Sequence, residues 1–140
     1  MLLMSAKDVY HSAVRSALIK EGWTITHDPL TVQFEDVTLF VDLGAEQVIA
    51  AERGAEKIAV EIKSFIRESM VSEFHTAAGQ FINYRLALSE LEPDRALYLA
   101  VPNDAYESFF SKRFAQRSIE HNKIKLIVFN PETEEIVKWS

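Results

Sequence analysis

Apolar residues recur along the chain with two different periods, and each change of period marks a new element. Over 5–21 and 72–91 they recur at helical spacing, and the sequence predicts a helix over each range. Gly22 and Pro93, which follow these ranges, are residues that end helices. Pro102-Asn103-Asp104 is predicted to cap a third helix that runs to about His121.

Short runs rich in β-branched and aromatic residues lie between the helices and predict strands. The early strands flank polar turns and are expected to form two hairpins, although 45–51 also fits a short helix. Later apolar runs are typical of buried strands, and the last run predicts an edge strand. The predicted strands are 31–34 with 37–41, 48–52 with 57–65, then 95–101, 125–129 and 136–139. This order indicates a single α/β domain over 1–140, with a mixed central sheet flanked by helices.

Composition and charge narrow the class of protein. The 140-residue chain has no cysteine, which excludes disulfides and thiolate metal sites and agrees with a reducing compartment. It shows no membrane-length apolar run and no signal-peptide pattern, so we expect a cytoplasmic protein. A net charge of −6 argues against general nucleic-acid binding, but one segment is basic and predicts either a solvated helix or a local phosphate-binding patch. Its basic residues are Lys112, Arg113, Arg117, Lys123 and Lys125.

The most informative stretch is the predicted strand that contains Glu61 and Lys63. Because side chains alternate between the faces of a strand, both charges project from one face of a strand otherwise built for burial. Burying a charge is costly unless another group compensates it. A structural ion pair between Glu61 and Lys63 is one interpretation, and a catalytic or metal site is the other.

Asp42 is a second carboxylate in an unfavourable setting, because it ends the apolar strand of the first hairpin. If the strands that carry Asp42 and Glu61 are neighbours, the two carboxylates converge and repel unless a cation lies between them. Mg²⁺ or Mn²⁺ suits such a site, since Mg²⁺ takes one or two protein carboxylates and leaves room for phosphate oxygens. The Ile62 carbonyl is a further candidate ligand, and Lys63 is a candidate to orient or deprotonate the attacking water.

Three residues on the predicted helices are candidates for accessory roles. Gln80 and Tyr84 are four positions apart and share a helix face, so they suit contacts to water or to a nucleic-acid backbone. An ordinary boundary pair on an amphipathic helix is the alternative. His11 forms a positive stripe with Lys7 and Arg15, which either meets a phosphate or a candidate carboxylate or is only a solvated face.

Five motifs spread along the chain are specific when they are taken together. They lie at 6–11, 22–30, 41–46, 58–65 and 97–102. Over essentially the whole chain they resemble the XisH family, whose members are described as factors that control excision of a DNA element during cell differentiation. In that family a separate site-specific recombinase performs the excision, and an XisI protein is implied as partner.

This resemblance implies a restriction-endonuclease-like fold of the PD-(D/E)xK nuclease type. It implies Asp42 and Glu61 as ligands of Mg²⁺ or Mn²⁺, with Lys63 at the attacking water. The implied partners are DNA, an XisI-like protein and a site-specific recombinase, with no membrane; a homo-oligomer is compatible with the sequence.

The resemblance also bears on the accessory residues. Gln80 and Tyr84 look like the Gln-x-x-x-Tyr element that some nuclease branches carry after the lysine strand. His11 is a departure, because many related nucleases have a metal-supporting glutamate at the matching position. Two functions therefore stay open: a divalent-metal-dependent endonuclease acting on DNA, and a catalytically inactive DNA-binding or adaptor protein.

Overall fold

A computed structural model of the protein describes residues 6–39, 48–66 and 69–140. Within these ranges a six-stranded mixed sheet carries helices on both faces, and a separate two-stranded hairpin lies beside it. The predicted α/β class and the mixed sheet are thereby confirmed. In the same ranges, no helix is long and apolar enough to cross a membrane.

The helices and strands agree with the predicted elements in most places. They are α1 (Ala6–Lys20), β1 (Thr24–His27), β2 (Val32–Phe34), β3 (Val37–Leu39), β4 (Val48–Arg53), β5 (Glu56–Ile62), α2 (Met70–Leu91), β6 (Arg95–Pro102), α3 (Asn103–Ala105), α4 (Arg113–Asn122), β7 (Leu126–Asn130) and β8 (Glu135–Trp139). Both predicted hairpins are present, as β2–β3 and β4–β5. The alternative of a short helix over 45–51 is wrong for residues 48–51, which are extended.

The predicted third helix is not continuous. It is divided into α3, a π-helical turn over Tyr106–Phe110, and α4. The adjacent side chains of Phe109 and Phe110 are both buried at this π turn. A new helix then begins with a different face toward the core.

The strand order is β1-β4-β5-β6-β7-β8, so β5 lies inside the sheet. It pairs antiparallel with β4 and parallel with β6, which places Glu61 between Val48 and Leu99. A strand has only two hydrogen-bonding edges, and both edges of β5 are occupied. The expectation that the strand before Asp42 neighbours the strand of Glu61 is therefore wrong, since β3 pairs with β2. Asp42 itself lies outside the described residues.

The two faces of β5 belong to two different cores. Ile58, Val60 and Ile62 pack with α1 on one face, as the strand alternation predicted. Ala59 and Phe65 belong to the core under α2 and α4. Ala59 and Glu61 of β5, and Lys63 just beyond its end, therefore lie on the sheet face that is covered by α2.

We expect the β2–β3 turn to respond oppositely to glycine at its two central positions. Glu35 has φ +55°, a conformation that is strained for a side chain, whereas Asp36 does not have a positive φ. Glu35→Gly should leave the free energy of unfolding unchanged or raise it by up to about 1 kcal/mol, and Asp36→Gly should lower it by about 0.5–1 kcal/mol. Urea unfolding of both variants checks this, and equal destabilisation by both would contradict the turn geometry.

Candidate metal and nucleic-acid site

Glu61 is the most unusual charged residue of the described structure. Its side chain lies within the sheet face under α2 and is 1% exposed. Neither carboxylate oxygen has a hydrogen-bond partner within the described part of the chain. Burial raises the pKa of this carboxyl from 4.5 to about 8, although the positive charge of Lys63 opposes that shift. The raised pKa means that this carboxyl favours its protonated form unless a further cation balances its charge.

Lys63 lies just beyond the end of β5 and is also buried. Its backbone N–H donates to the Ala100 carbonyl at 3.0 Å and so continues the β5–β6 ladder for one more residue. Glu61 and Lys63 therefore lie on one face, as predicted. The positive charge of Lys63 lowers the pKa of the Glu61 carboxyl, so the two charges interact, and a structural ion pair stays an open alternative to the metal site.

Tyr84 on α2 is the second buried polar side chain near Glu61. Burial, and then the negative charge of Glu61, raise the pKa of its phenol to about 12. The hydroxyl therefore stays protonated at neutral pH and is available as a hydrogen-bond donor. The electrostatic effect of Glu61 on Tyr84 shows that α2 brings the two groups close together.

Gln80 lies one turn before Tyr84 on α2, and both side chains line one cavity. The cavity has a volume of about 130 Å³ and lies between α2 and the β2–β3 hairpin. Its lining residues are Thr38, Leu39, Gln80, Asn83 and Tyr84. The Gln80 Oε1 atom is buried without a hydrogen-bond partner in the described chain. The prediction that Gln80 and Tyr84 share a face is confirmed, and their functional roles stay predictions.

Three of the lining residues were missed by sequence reasoning. Asn83 carried a usable signal, because it lies three positions after Gln80 and thus on the same side of the helix. Thr38 and Leu39 carried none, since only the packing of the hairpin against α2 brings them to the cavity.

Phe65 is a further residue that the sequence did not single out as part of the site. Its φ of +54° is a left-handed conformation, which is rare for a large aromatic residue. The chain leaves β5 here, and the Phe65 ring makes a T-shaped contact with Phe110 at a centroid distance of 5.1 Å. Backbone strain of this kind is often found beside functional residues, and Phe65 follows Lys63 by two positions.

The candidate metal ligand Asp42 lies outside the described residues, and its convergence with Glu61 stays a prediction. In the described part of the chain, no group of three or more His, Asp or Glu side chains is arranged to hold a metal ion.

His11 has a different partner from the predicted ones. Its Nε2 lies 2.7 Å from Asp28 Oδ1, and Arg15 Nη1 donates to Asp28 Oδ2 at 2.6 Å. The predicted positive stripe therefore meets a carboxylate, but that carboxylate is Asp28. Because α1 packs on the sheet face opposite to α2, His11 and Glu61 approach the sheet from different sides.

The donor groups near Glu61 fit a hard divalent cation. A carboxylate with two unpartnered oxygens supplies the oxygen ligands that Mg²⁺ and Mn²⁺ prefer. A bound cation would also remove the electrostatic penalty that raises the pKa of Glu61. Ile62 is the last residue of β5, and its backbone carbonyl stays a candidate ligand.

Comparison with known proteins identifies the family. The model of the family described as XisH protein matches residues 4–137. The chain belongs to the XisH family. Two solved structures are similar over 94% of this chain and 98% of theirs, each with a TM-score of 0.87. They are an XisH family protein from Nostoc punctiforme PCC 73102, at 50% identity, and an fdxN element excision controlling factor protein from Anabaena variabilis, at 51%. No curated protein matches the chain significantly.

For this XisH protein we expect stability without metal to fall as the pH rises from about 4.5 to about 8. The folded state favours protonated Glu61, whereas the unfolded chain ionises it near its ordinary pKa of 4.5. The stabilising effect of that proton is complete below 4.5 and lost by about 8, a loss of several kcal/mol at about 1.4 kcal/mol per pKa unit.

Urea unfolding in EDTA at pH 5 and pH 8 measures this loss. Glu61→Gln should retain much more of its pH 5 stability at pH 8 than the parent protein does. Glu56→Gln, at the exposed start of β5, is the matched control and should behave like the parent. Equal losses in all three proteins would contradict the assignment to Glu61.

Proposed function

We propose that this XisH protein takes part in controlling the excision of a DNA element, and that its Glu61 site binds Mg²⁺ or Mn²⁺ and acts on phosphodiesters of DNA. The role in excision is supported by the similarity to the fdxN element excision controlling factor protein from Anabaena variabilis. The action on phosphodiesters is supported chiefly by one observation: the buried Glu61 carboxylate has no hydrogen-bond partner in the described chain, beside Lys63 and Tyr84.

Under this proposal Glu61, Asp42 and the Ile62 carbonyl hold the ion. A divalent ion in such a site would neutralise charge on the phosphate and lower the pKa of water. Asp42 is assigned on sequence grounds alone, as the carboxylate that follows the apolar run of the first predicted hairpin. Glu61 is assigned on its burial and on its unpartnered oxygens.

Three other side chains act on the substrate and on the attacking water. Lys63 adds positive charge beside Glu61 and orients the water or accepts its proton. Tyr84 donates a hydrogen bond to a phosphate oxygen, because its raised pKa keeps the hydroxyl protonated. Gln80 accepts a hydrogen bond from the water through Oε1, which has no partner within the described protein.

A second candidate function is a catalytically inactive adaptor that binds DNA together with an XisI-like protein and assists a site-specific recombinase. The environment of His11 favours it, because His11 pairs with Asp28 and approaches the sheet from the side opposite to Glu61, so it gives no support to a metal at the Glu61 site. The acidic net charge of −6 favours it as well. Here the nuclease-like frame is retained and the partners perform the chemistry.

For the nuclease, we expect Asp42→Ala and Lys63→Ala each to abolish the nicking of supercoiled plasmid DNA in Mg²⁺, because each removes a ligand or the charge at the water. EDTA should abolish nicking by the parent protein. Lys57→Ala is the matched control, since this lysine lies at the other end of β5 and pairs with Asp94 at 3.6 Å.

Circular dichroism and thermal unfolding would confirm that each variant is folded. Nicking rates that stay unchanged in both the Asp42 and Lys63 variants would refute the metal-dependent mechanism.

For the adaptor, we expect the protein to retain an XisI-like partner in a pull-down performed in EDTA, and plasmid DNA to stay intact in Mg²⁺ and Mn²⁺. Asp42→Ala should then retain the partner as well as the parent does. Nicking that depends on divalent metal would contradict this second function.

A further inference from the structure

The basic residues at the start of α4 differ from the other cations of the described chain. Each described arginine outside α4 uses its guanidinium group within the protein, on a carboxylate or a backbone carbonyl. These are Arg15, Arg53, Arg85 and Arg95. By contrast, the side chains of Lys112, Arg113 and Arg117 make no ion pair or hydrogen bond with the part of the chain that the structure describes. Their charges are available to a partner.

The exposed side of α4 carries cations with an aromatic ring at one edge. At about 100° per residue, Arg113, Arg117, His121 and Phe114 fall within an arc of about 100°. The exposed acidic residue Glu120 lies about 20° beyond Arg113, at the other edge of the arc. The four residues within the arc are exposed, whereas Ala115 is fully buried on the opposite side. We call Lys112 and these four residues the α4 face.

The cations at the amino end of α4 destabilise the helix when no partner is bound. Lys112 is the N-cap residue and makes no side-chain capping bond, Arg113 follows it, and the first turn contains no acidic residue. The amino end of a helix already carries partial positive charge, so cations there are destabilising. An anion bound at this end would relieve the repulsion, which is an indication independent of the unpaired side chains.

Phe114 supplies a flat apolar surface at one edge of this basic face. It is 57% exposed, yet its ring is held by a T-shaped contact with Phe74 at a centroid distance of 6.1 Å. Proteins that bind single-stranded nucleic acid combine cations for the backbone with aromatic rings on which bases stack. Base pairs inside a duplex are already stacked on one another, so a ring of this kind suits an unpaired base.

The α4 face lies on the same side of the sheet as the Glu61 site. Aromatic contacts connect the two regions: Phe114 touches Phe74, Phe74 touches Phe110, and Phe110 touches Phe65, two residues after Lys63.

Lys125, which the sequence grouped with the basic segment, does not belong to this face. Its ammonium lies 5.7 Å from the centre of the Tyr98 ring, and Tyr98 packs with the core on the other side of the sheet.

We infer that the α4 face binds single-stranded DNA, with Lys112, Arg113 and Arg117 on the phosphates and Phe114 stacked on an unpaired base. This inference rests on the proposed function in that it takes DNA as the partner. It adds that the DNA carries unpaired nucleotides, as a displaced strand, a flap or a branched junction does.

Binding measured without metal tests the inference separately from catalysis. Fluorescence anisotropy in EDTA would compare a labelled oligothymidine with a duplex of the same length, and the parent protein should bind the single strand more tightly. Phe114→Ala and Phe114→Leu should weaken binding about 5- to 100-fold, and Phe114→Trp should retain it. Arg113→Ala and Arg117→Ala should weaken binding and lower the slope of log K against log salt by about 0.7 each.

The matched controls lie away from the α4 face. Val137→Ala alters an equally exposed apolar residue on β8, and Arg53→Ala removes an exposed arginine near β1. Both should bind as the parent does. Lys112→Asp adds a helix cap, so it should raise the melting temperature by roughly 3 °C while it weakens binding. A purely structural role for Lys112 would not lower the affinity.

The inference is overturned if the parent protein does not bind oligothymidine, if it prefers the duplex, or if Phe114→Leu binds like the parent. Capture of an acidic protein by the α4 face, without affinity for DNA, would overturn it too. If α4 variants bind normally while Asp42→Ala abolishes nicking, the α4 face is not the DNA-binding surface and the proposed nuclease function is supported. If α4 variants lose binding while the parent nicks no DNA in Mg²⁺, the surface is supported and the nuclease is contradicted.

Discussion

The burial of one carboxylate, that of Glu61, is the strongest electrostatic constraint in the described structure. Glu61 lies on an interior strand with paired strands on both sides and a helix above it, and its oxygens have no hydrogen-bond partner in the described chain. The cost of that burial is visible in the raised pKa of its carboxyl. Such a group is retained only where it is useful, because an apolar side chain of similar size would stabilise the sheet more. Lys63 and Tyr84 lie near this carboxylate, and on this arrangement the proposal of a cation and phosphate site rests.

The pairing register of β5, together with the alternation of its side chains, places Glu61 in this site. The β4–β5 hairpin and the parallel pairing of β5 with β6 fix Glu61 opposite Val48 and Leu99, and the alternation of the strand turns it toward α2. α2 then brings Tyr84 close to Glu61, and Gln80 and Tyr84 line a cavity that the β2–β3 hairpin closes on one side. No single segment carries the site, so its geometry depends on the whole sheet.

The charged groups of the protein are distributed unevenly. The protein is acidic as a whole, with a net charge of −6, yet Lys112, Arg113 and Arg117 gather at α4 without an ion pair to the described part of the chain. Under the two proposals, Glu61 would hold a cation and the basic residues of α4 would contact phosphates. Ring contacts of Phe65, Phe74 and Phe110 connect the two regions.

The sequence alone determined the α/β class, most helix and strand positions, and the shared face of Glu61 and Lys63, because these follow from local periodicity. It also identified Gln80 and Tyr84 as neighbours on one helix face. Only the tertiary structure decided that the strand before Asp42 does not neighbour β5, that His11 pairs with Asp28, and that the third helix is broken. Those outcomes depend on which strand edges are occupied and on how distant segments pack, and no local pattern of residues encodes that information.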